Sequence, residues 1–351
     1  MSHQKLNRRQ FIRLNASALA GAAIAPAVIT GEKQVTHIET KEGDKIQSPG
    51  FYRFAFGELE ITVLSAGHFH YPPHIVTVDD PVEILAYNAD PKTREEYFRS
   101  RLVPSDLIPL QQSPVLIDSG NQRTLVDSGH MAGADWTPPA ACRLGPSLAA
   151  AGISPGSIDR VVLTHAHPDH MGGLLDHATG APVFPNAEVV LSEEEFEFWM
   201  GDDVASTLNP PFVTEIAEAF VELARWFLER VDDRLRMVRT EEEVSPGIQS
   251  IPSPGHTPGH ICFGVESGGK QLLLTGDAFV FNQAGFEHPE WEFFGDMERE
   301  RAGRTRRRLL DRAAADEMLI LGYHFPFPGL GYALRHEAAY RWHPAGWTVL
   351  S

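Results

Sequence analysis

The stretch THAHPDH, residues 164–170, places three histidines and an aspartate within six positions at the end of an apolar run. Extended backbone points residues i and i+2 the same way, so His165 and His167, just past RVVLT, can reach one metal ion. Asp169 and His170 follow in a turn and can face a second ion. Gly172 and Gly173 then let the chain approach closely and start a helix. One short motif cannot fill two coordination spheres, and three further residues each close an apolar run. They are His256 in SPGHTPGH, Asp277 ending KQLLLTGD, and His324 ending EMLILGYH. Side chains that emerge from strand ends can converge at one sheet edge. Imidazoles with carboxylates suit a borderline-soft divalent ion such as zinc, and a carboxylate between two ions can bridge them. Two such ions acidify a water and polarise a carbonyl or phosphoryl oxygen, which is hydrolytic chemistry. No Ser-His-Asp arrangement competes for the role.

The elements that must position these residues follow from periodicity. FYRFAFGELEITVLSAG reads as two strands around Gly57, and SPVLIDSGNQRTLVDSG as a hairpin around Gly120-Asn121. LGPSLAAAG is a short helix, RVVLT a buried strand, and AEVVLSEEEFEFWM a strand followed by a helix. Over residues 213–238, Val213, Ile216, Phe220, Leu223, Phe227, Val231 and Leu235 recur at three- and four-residue steps, the stripe of a core-facing helix. GIQSIPSP, HICFGVES and KQLLLTGDA read as strands, residues 297–315 as a helix, EMLILGYH as a strand, and the rest as a Pro/Gly-rich tail. RERAGRTRRRLLDR reads as a solvated face, because acids interleave its arginines. Residues 71–112, with a helix near 93–101, read as a lid, a pocket wall or surface meander. Strands and helices in this order suggest two sheets sandwiched by helices.

Residues 1–27 read as an export signal: Lys5, Arg8, Arg9 and Arg13 precede a short Ala/Gly-rich stretch and an Ala25-Pro26-Ala27 cleavage pattern. Arg8-Arg9 with Phe11 resembles a twin-arginine signal, which implies a periplasmic or secreted protein. Residues 28–50 are polar and aperiodic, a flexible lead-in, and residues 51–351 form the working domain. The formal charge of −17 falls to about −21 once the four basic residues of the signal are removed. That acidity excludes nucleic acid and anionic membrane partners after signal removal, and points to a neutral or apolar small-molecule substrate. The two cysteines, Cys142 and Cys262, are too few for a disulfide framework and read as buried thiols.

HAHPDH, GHTPGH, TGD and GYHFPFPG, in this order over residues 113–330, resemble the metallo-β-lactamase superfamily of dinuclear hydrolases. The resemblance implies an α+β fold, a four-layer αββα sandwich. It implies one ion on His165, His167 and His256, another on Asp169, His170 and His324, and Asp277 as the bridge. A hydroxide between the ions would be the nucleophile, with Asp169 or Asp277 as proton shuttle. His260 and Asp127 would support the ligands. His68, His70, His130, His177 and His288 have no spacing argument and are expected at the surface or on a pocket wall. Two divalent ions per chain are implied, zinc foremost, with manganese, cobalt or iron as alternatives.

Within the superfamily the chain is similar to the exported branch that holds methyl parathion hydrolase and the quorum-quenching lactonases. The export signal, FPFPGLG after His324, HPEW and RTRRRLL carry that likeness. A lactonase, acting on acyl-homoserine lactones among others, is the first expectation. A phosphotriesterase or arylesterase is the alternative, and an iron-dependent sulfur dioxygenase or a non-catalytic binding protein ranks lower. One departure bears on this. Acyl-homoserine lactonases place a tyrosine soon after the bridging aspartate, whereas Asp277 is followed by AFVFNQAGF. Phe279, Phe281 and Phe286, with Trp199, are therefore the expected apolar pocket. A homodimer, with residues 51–110 as an interface, is the assembly the resemblance suggests.

Overall fold

FYRFAF alternates in burial and LEITVL is buried at every position but Glu60, so their inward side chains need further layers to cover them. The computed structural model supplies them; it describes residues 50–70, 81–103, 108–134, 137–202, 204–208, 214–239 and 241–346. The signal, nearly all of the lead-in, residues 71–80 and Val213 lie outside the described residues.

The first sheet runs β1 (Phe51–Phe56), β2 (Leu59–Leu64), β5 (Val115–Asp118), β6 (Arg123–Val126), β7 (Arg160–Val162), β8 (Glu188–Ser192) and β9 (Leu235–Val238). The second runs β10 (Glu243–Ser245), β11 (Ile248–Pro252), β12 (Ile261–Ser267), β13 (Lys270–Leu274), β14 (Leu319–Leu321), β15 (Leu330–His336) and β16 (Ala339–Pro344). A small hairpin, β3 (Gly67–His70) with β4 (Pro109–Gln112), stands apart from both. Strands β6 to β9 are parallel, as are β13 and β14, and parallel pairing needs long crossovers. The helices Leu144–Ala150, Thr214–Val231 and Arg299–Ala315 provide three of them.

The two-residue period of the strands sorts the core into three apolar layers. Val162, Val190, Leu272, Leu274 and Leu321 point between the sheets with Phe54, Phe56 and Phe263. Val161, Leu163, Val189 and Leu191 point outward to Leu148, Trp199, Ala217 and Phe227. Leu273 and Ile320 point to the opposite outside, against Leu309, Leu310 and Phe286. Helices over both outer faces complete the αββα sandwich. Gly57, at φ +61°, turns β1 into β2 where an added Cβ would lie 2.4 Å from the Ser267 carbonyl oxygen at the edge of the other sheet.

Three expectations change. The long helix stops at Val231; a short turn at Asp232–Arg234 follows, and Leu235 opens β9 instead of continuing the stripe. Its buried face is Ala217, Val221, Ala224, Phe227, Leu228 and Val231, with Phe220 and Leu223 only half-buried. The tail is a hairpin, β15 with β16, whose outward Arg335, Arg341 and His343 hide the alternation in sequence. Arg306 is not on a solvated face: it is buried and ion-paired with Asp296. Among the described residues no helix is long and apolar enough to cross a membrane.

Candidate metal centre

All seven expected donors leave strand ends on the same rim. β7 ends at Val162 and delivers Thr164 to His167, and the one-turn helix Pro168–Met171, with proline at its first position, carries Asp169 and His170. β11 leads to His256, β13 to Asp277 within the turn Gly276–Ala278, and β14 to His324. The structure gathers His165, His167, His256 and Asp277 into one group and Asp169, His170 and His324 into another. Within each group the donor atoms lie within 4.8 Å of one another.

The Asp277 carboxylate spans the two groups. Its Oδ1 lies 3.2 Å from His170 Nε2 and 3.2 Å from His324 Nε2. Its Oδ2 lies 3.3 Å from His256 Nε2. Asp169 Oδ2 is 3.4 Å from His324 Nε2 and 3.6 Å from His170 Nε2.

Hydrogen bonds on the far side of each ring assign the tautomers. His170 Nδ1 donates to Asp127 Oδ2 (2.8 Å), His256 Nδ1 to Asp296 Oδ1 (3.2 Å) and His324 Nδ1 to the Gln111 carbonyl (2.5 Å). Thr164 Oγ1 gives its proton to Asp127, so it accepts from His165 Nδ1 at 3.0 Å. With Nδ1 committed in this way, each of these four rings would offer Nε2 to an ion, the arrangement metal-ligating imidazoles adopt. His167 turns Nδ1 inward, 2.8 Å from His165 Nε2 and 3.0 Å from His256 Nε2. Nitrogens this close need a proton or a metal ion between them. His170 Nε2 and Asp277 Oδ1 are buried and face each other at 3.2 Å without a well-formed hydrogen bond, although poorly paired buried polar atoms are rare. The donor set thus fits two divalent ions.

Charge is divided across the centre. Burial works against protonation of His170 and His324, but Asp277 and Asp169 overcome it, raising His170 well above the usual histidine range and His324 to about 9. In the three-histidine group burial prevails with help from neighbouring imidazoles, holding His165 well down and His167 at about 3.

The expected supports are in place. Asp127, at φ +58°, also accepts from Thr164 N at 2.9 Å, so a strained backbone aims one carboxylate at two neighbouring segments. His260 accepts from Asp277 N at 3.0 Å and donates from Nδ1 to Ser253 Oγ at 2.8 Å, a supporting place beside the donors. Four supports carry no signal in the sequence. Asp296 holds His256; Arg306 holds Asp296 (2.8 Å) and the Pro289 and Trp291 carbonyls. Tyr323 donates to the Asp169 carbonyl (2.6 Å), and its ring lies 4.0 Å from that of His170. Glu195 is fully buried beneath the histidines, where burial pushes its carboxyl up and donors from Thr257, Ala166 and Trp199 oppose the shift.

The aromatic residues are redistributed. Phe279 and Phe286 pack on each other (5.1 Å), and Phe286 on Trp342 (5.2 Å), in the apolar layer behind the second sheet. They are core, because the strand-to-helix turn after Asp277 folds them away from the rim. Trp199 is 1% exposed; it lies under His167 (5.7 Å between rings) and is tied to Glu195, leaving no face open to a ligand. Phe281 stays half-buried against Phe98 at 5.9 Å. The rings beside the donors are Phe69 (6.1 Å from His324), Phe220 (6.5 Å from His167) and Phe293 (6.0 Å from His256). The helix Pro91–Ser100 is part of a wall: Tyr97 packs on Trp291 at 4.9 Å.

This fold with this donor set defines a class, and the chain belongs to the metallo-beta-lactamase superfamily, whose pattern it matches over residues 107–324. Among characterised and uncharacterized relatives it is 28% identical over 204 residues to YobT, an uncharacterized protein of Bacillus subtilis (strain 168), covering 56% of this chain and 77% of that one. It is 25% identical over 189 residues to the N-acyl homoserine lactonase of Bacillus cereus, covering 52% and 65% respectively. Two solved structures share the fold at 24% identity. AidC, a dizinc quorum-quenching lactonase, superposes with a TM-score of 0.77 over 86% of this chain and 99% of its own. AbOPH, a hydrolase in the beta-lactamase superfamily, gives 0.75 over 86% and 100%. The chain is a metal-dependent hydrolase.

Proposed function

We propose that this protein is a dinuclear lactonase, with N-acyl homoserine lactones as its foremost substrates, exported by its twin-arginine-type signal to act outside the cytoplasm. The observation that carries the dinuclear part is the Asp277 carboxylate, with Oδ1 facing His170 and His324 and Oδ2 facing His256. Two divalent ions, zinc foremost, held on His165, His167 and His256 and on Asp169, His170 and His324, would supply an acidified water and polarise the lactone carbonyl. Asp277 holds the two donor groups in one relative position. Asp169, whose side chain keeps 15% of its surface exposed, carries a proton between the ring oxygen and solvent. Phe69, Phe220 and Phe293 bind the apolar acyl part and exclude water from it.

A phosphotriesterase or arylesterase is the second reading. It is favoured by the segment after Asp277, AFVF, which offers no hydroxyl to a lactone, and by Tyr323, whose hydroxyl is already committed to the Asp169 carbonyl. A pH-stat assay on protein reconstituted in turn with zinc, manganese and cobalt separates the two. Fast opening of short- and long-chain homoserine lactones, lost in Asp277→Ala, is the expected result. Preference for an aryl phosphotriester would move the assignment to the second reading.

A further inference from the structure

Glu195 sits in the first turn of the helix Glu193–Met200 and is fully buried. A carboxylate in such a place persists only if its oxygens are hydrogen-bonded. Three donors reach it from three segments. Ala166 N–H reaches Oε1 at 2.9 Å, Trp199 Nε1–H reaches Oε1 at 2.7 Å, and Thr257 Oγ1–H reaches Oε2 at 2.5 Å. Ala166 stands between His165 and His167, and Thr257 follows His256. One carboxylate therefore ties together the two loops that present the three-histidine group. No hydrogen bond from it goes to the elements that carry Asp277 or His324. The contact is close throughout: a Cβ on Gly259 would lie 2.0 Å from Glu195 N, so the GHTPGH loop rests directly on the helix start. Asp127 and Asp296 each orient an imidazole through its ring; Glu195 acts through the loop backbone and the neighbouring threonine, and so on all three histidines together.

We infer that Glu195 is a positioning residue that holds His165, His167 and His256 in convergence and thereby sets the affinity of one ion of the pair, independently of the Asp169, His170 and His324 group. The inference rests on the dinuclear reading above. Its test is a cobalt(II) titration of metal-stripped protein, followed by visible absorption and by metal analysis after dialysis against graded chelator. Wild type should fill in two steps. Glu195→Ala should lose at least tenfold in affinity at one step only, within the 10- to 100-fold range typical of residues that support metal ligands. Glu195→Gln keeps an acceptor for Ala166 and Trp199 and should return that step to within a few-fold of wild type. Two wild-type-like steps in Glu195→Ala would overturn the inference. So would equal weakening of both steps with a lowered Tm, which is what a merely structural role predicts. If Glu195→Ala does not fold, Thr257→Val removes one donor and must weaken the same single step; an unchanged titration overturns the inference. A wild-type protein that binds fewer than two ions would instead overturn the dinuclear reading itself.

Discussion

Replacing Arg306 by methionine gives the most severe test of how the centre is held. The guanidinium is 4% exposed and donates to Asp296 Oδ2 and to the carbonyls of Pro289 and Trp291. The Asp296 side chain has no exposed surface, and its other oxygen serves His256. Burial alone would raise the Asp296 carboxyl; Arg306 first, and His256 after it, outweigh burial and hold it below the ordinary value. Methionine fills the aliphatic volume but leaves a buried carboxylate with one partner. Removing one member of a buried ion pair costs about 3–5 kcal/mol. For a domain of this size about 2 °C of Tm accompanies each kcal/mol, so the melting temperature should fall by roughly 6–10 °C. The double variant Arg306→Met with Asp296→Asn removes the stranded charge and should recover about half of the loss. Denaturant unfolding and thermal melts of all four proteins, at fixed metal concentration, form the cycle that measures this coupling. A fall of less than about 2 °C in the single variant, or a double variant equal to the sum of the singles, would refute the picture of a buried pair.

Other expectations follow from burial and position. Phe279→Ala, in the core, should lose about 3–5 kcal/mol of stability while leaving the order of preference among acyl chain lengths unchanged. Phe220→Ala should do the reverse, raising KM most for long chains; denaturation curves and a substrate series read both. Cys262 is a buried thiol pushed up to about 12 from an ordinary 9.0. A raised folded value means stability is fully present below pH 9 and is lost as pH rises towards 12. Folded protein should leave this thiol unlabelled by iodoacetamide up to pH 9, and protein unfolded in guanidinium should label it at once. Labelling of the folded state at neutral pH would contradict the packing described for it.

The seven donors were legible in the sequence for a simple reason. Each is a residue type with few structural uses, and each stands where an apolar run stops, so strand period and composition together mark the rim. The two-sheet architecture was legible for the same reason: strands buried on both faces read as near-continuous apolar runs with turns between them. Apolar residues outside that pattern were not legible. Phe279 and Phe220 look alike in sequence, and only the turn after β13 and the rotation of the Thr214–Val231 helix send one into the core and the other to His167. The end of that helix is not legible, because Leu235 satisfies the period of either a helix or a strand. The basic run around Arg306 looked solvated because nothing local marks one arginine of several as turned inward. The supporting carboxylates were invisible because their partners are distant: 62 positions separate Glu195 from Thr257, and 40 separate Asp296 from His256. Composition and period by themselves determined which atoms this protein offers to a metal and at which edge of the fold. Tertiary structure decided which nitrogen of each ring turns inward, that Asp277 directs one oxygen to each group, and which aromatic rings stand beside them. Those choices depend on hydrogen bonds and packing between segments that meet only once both sheets have closed on each other.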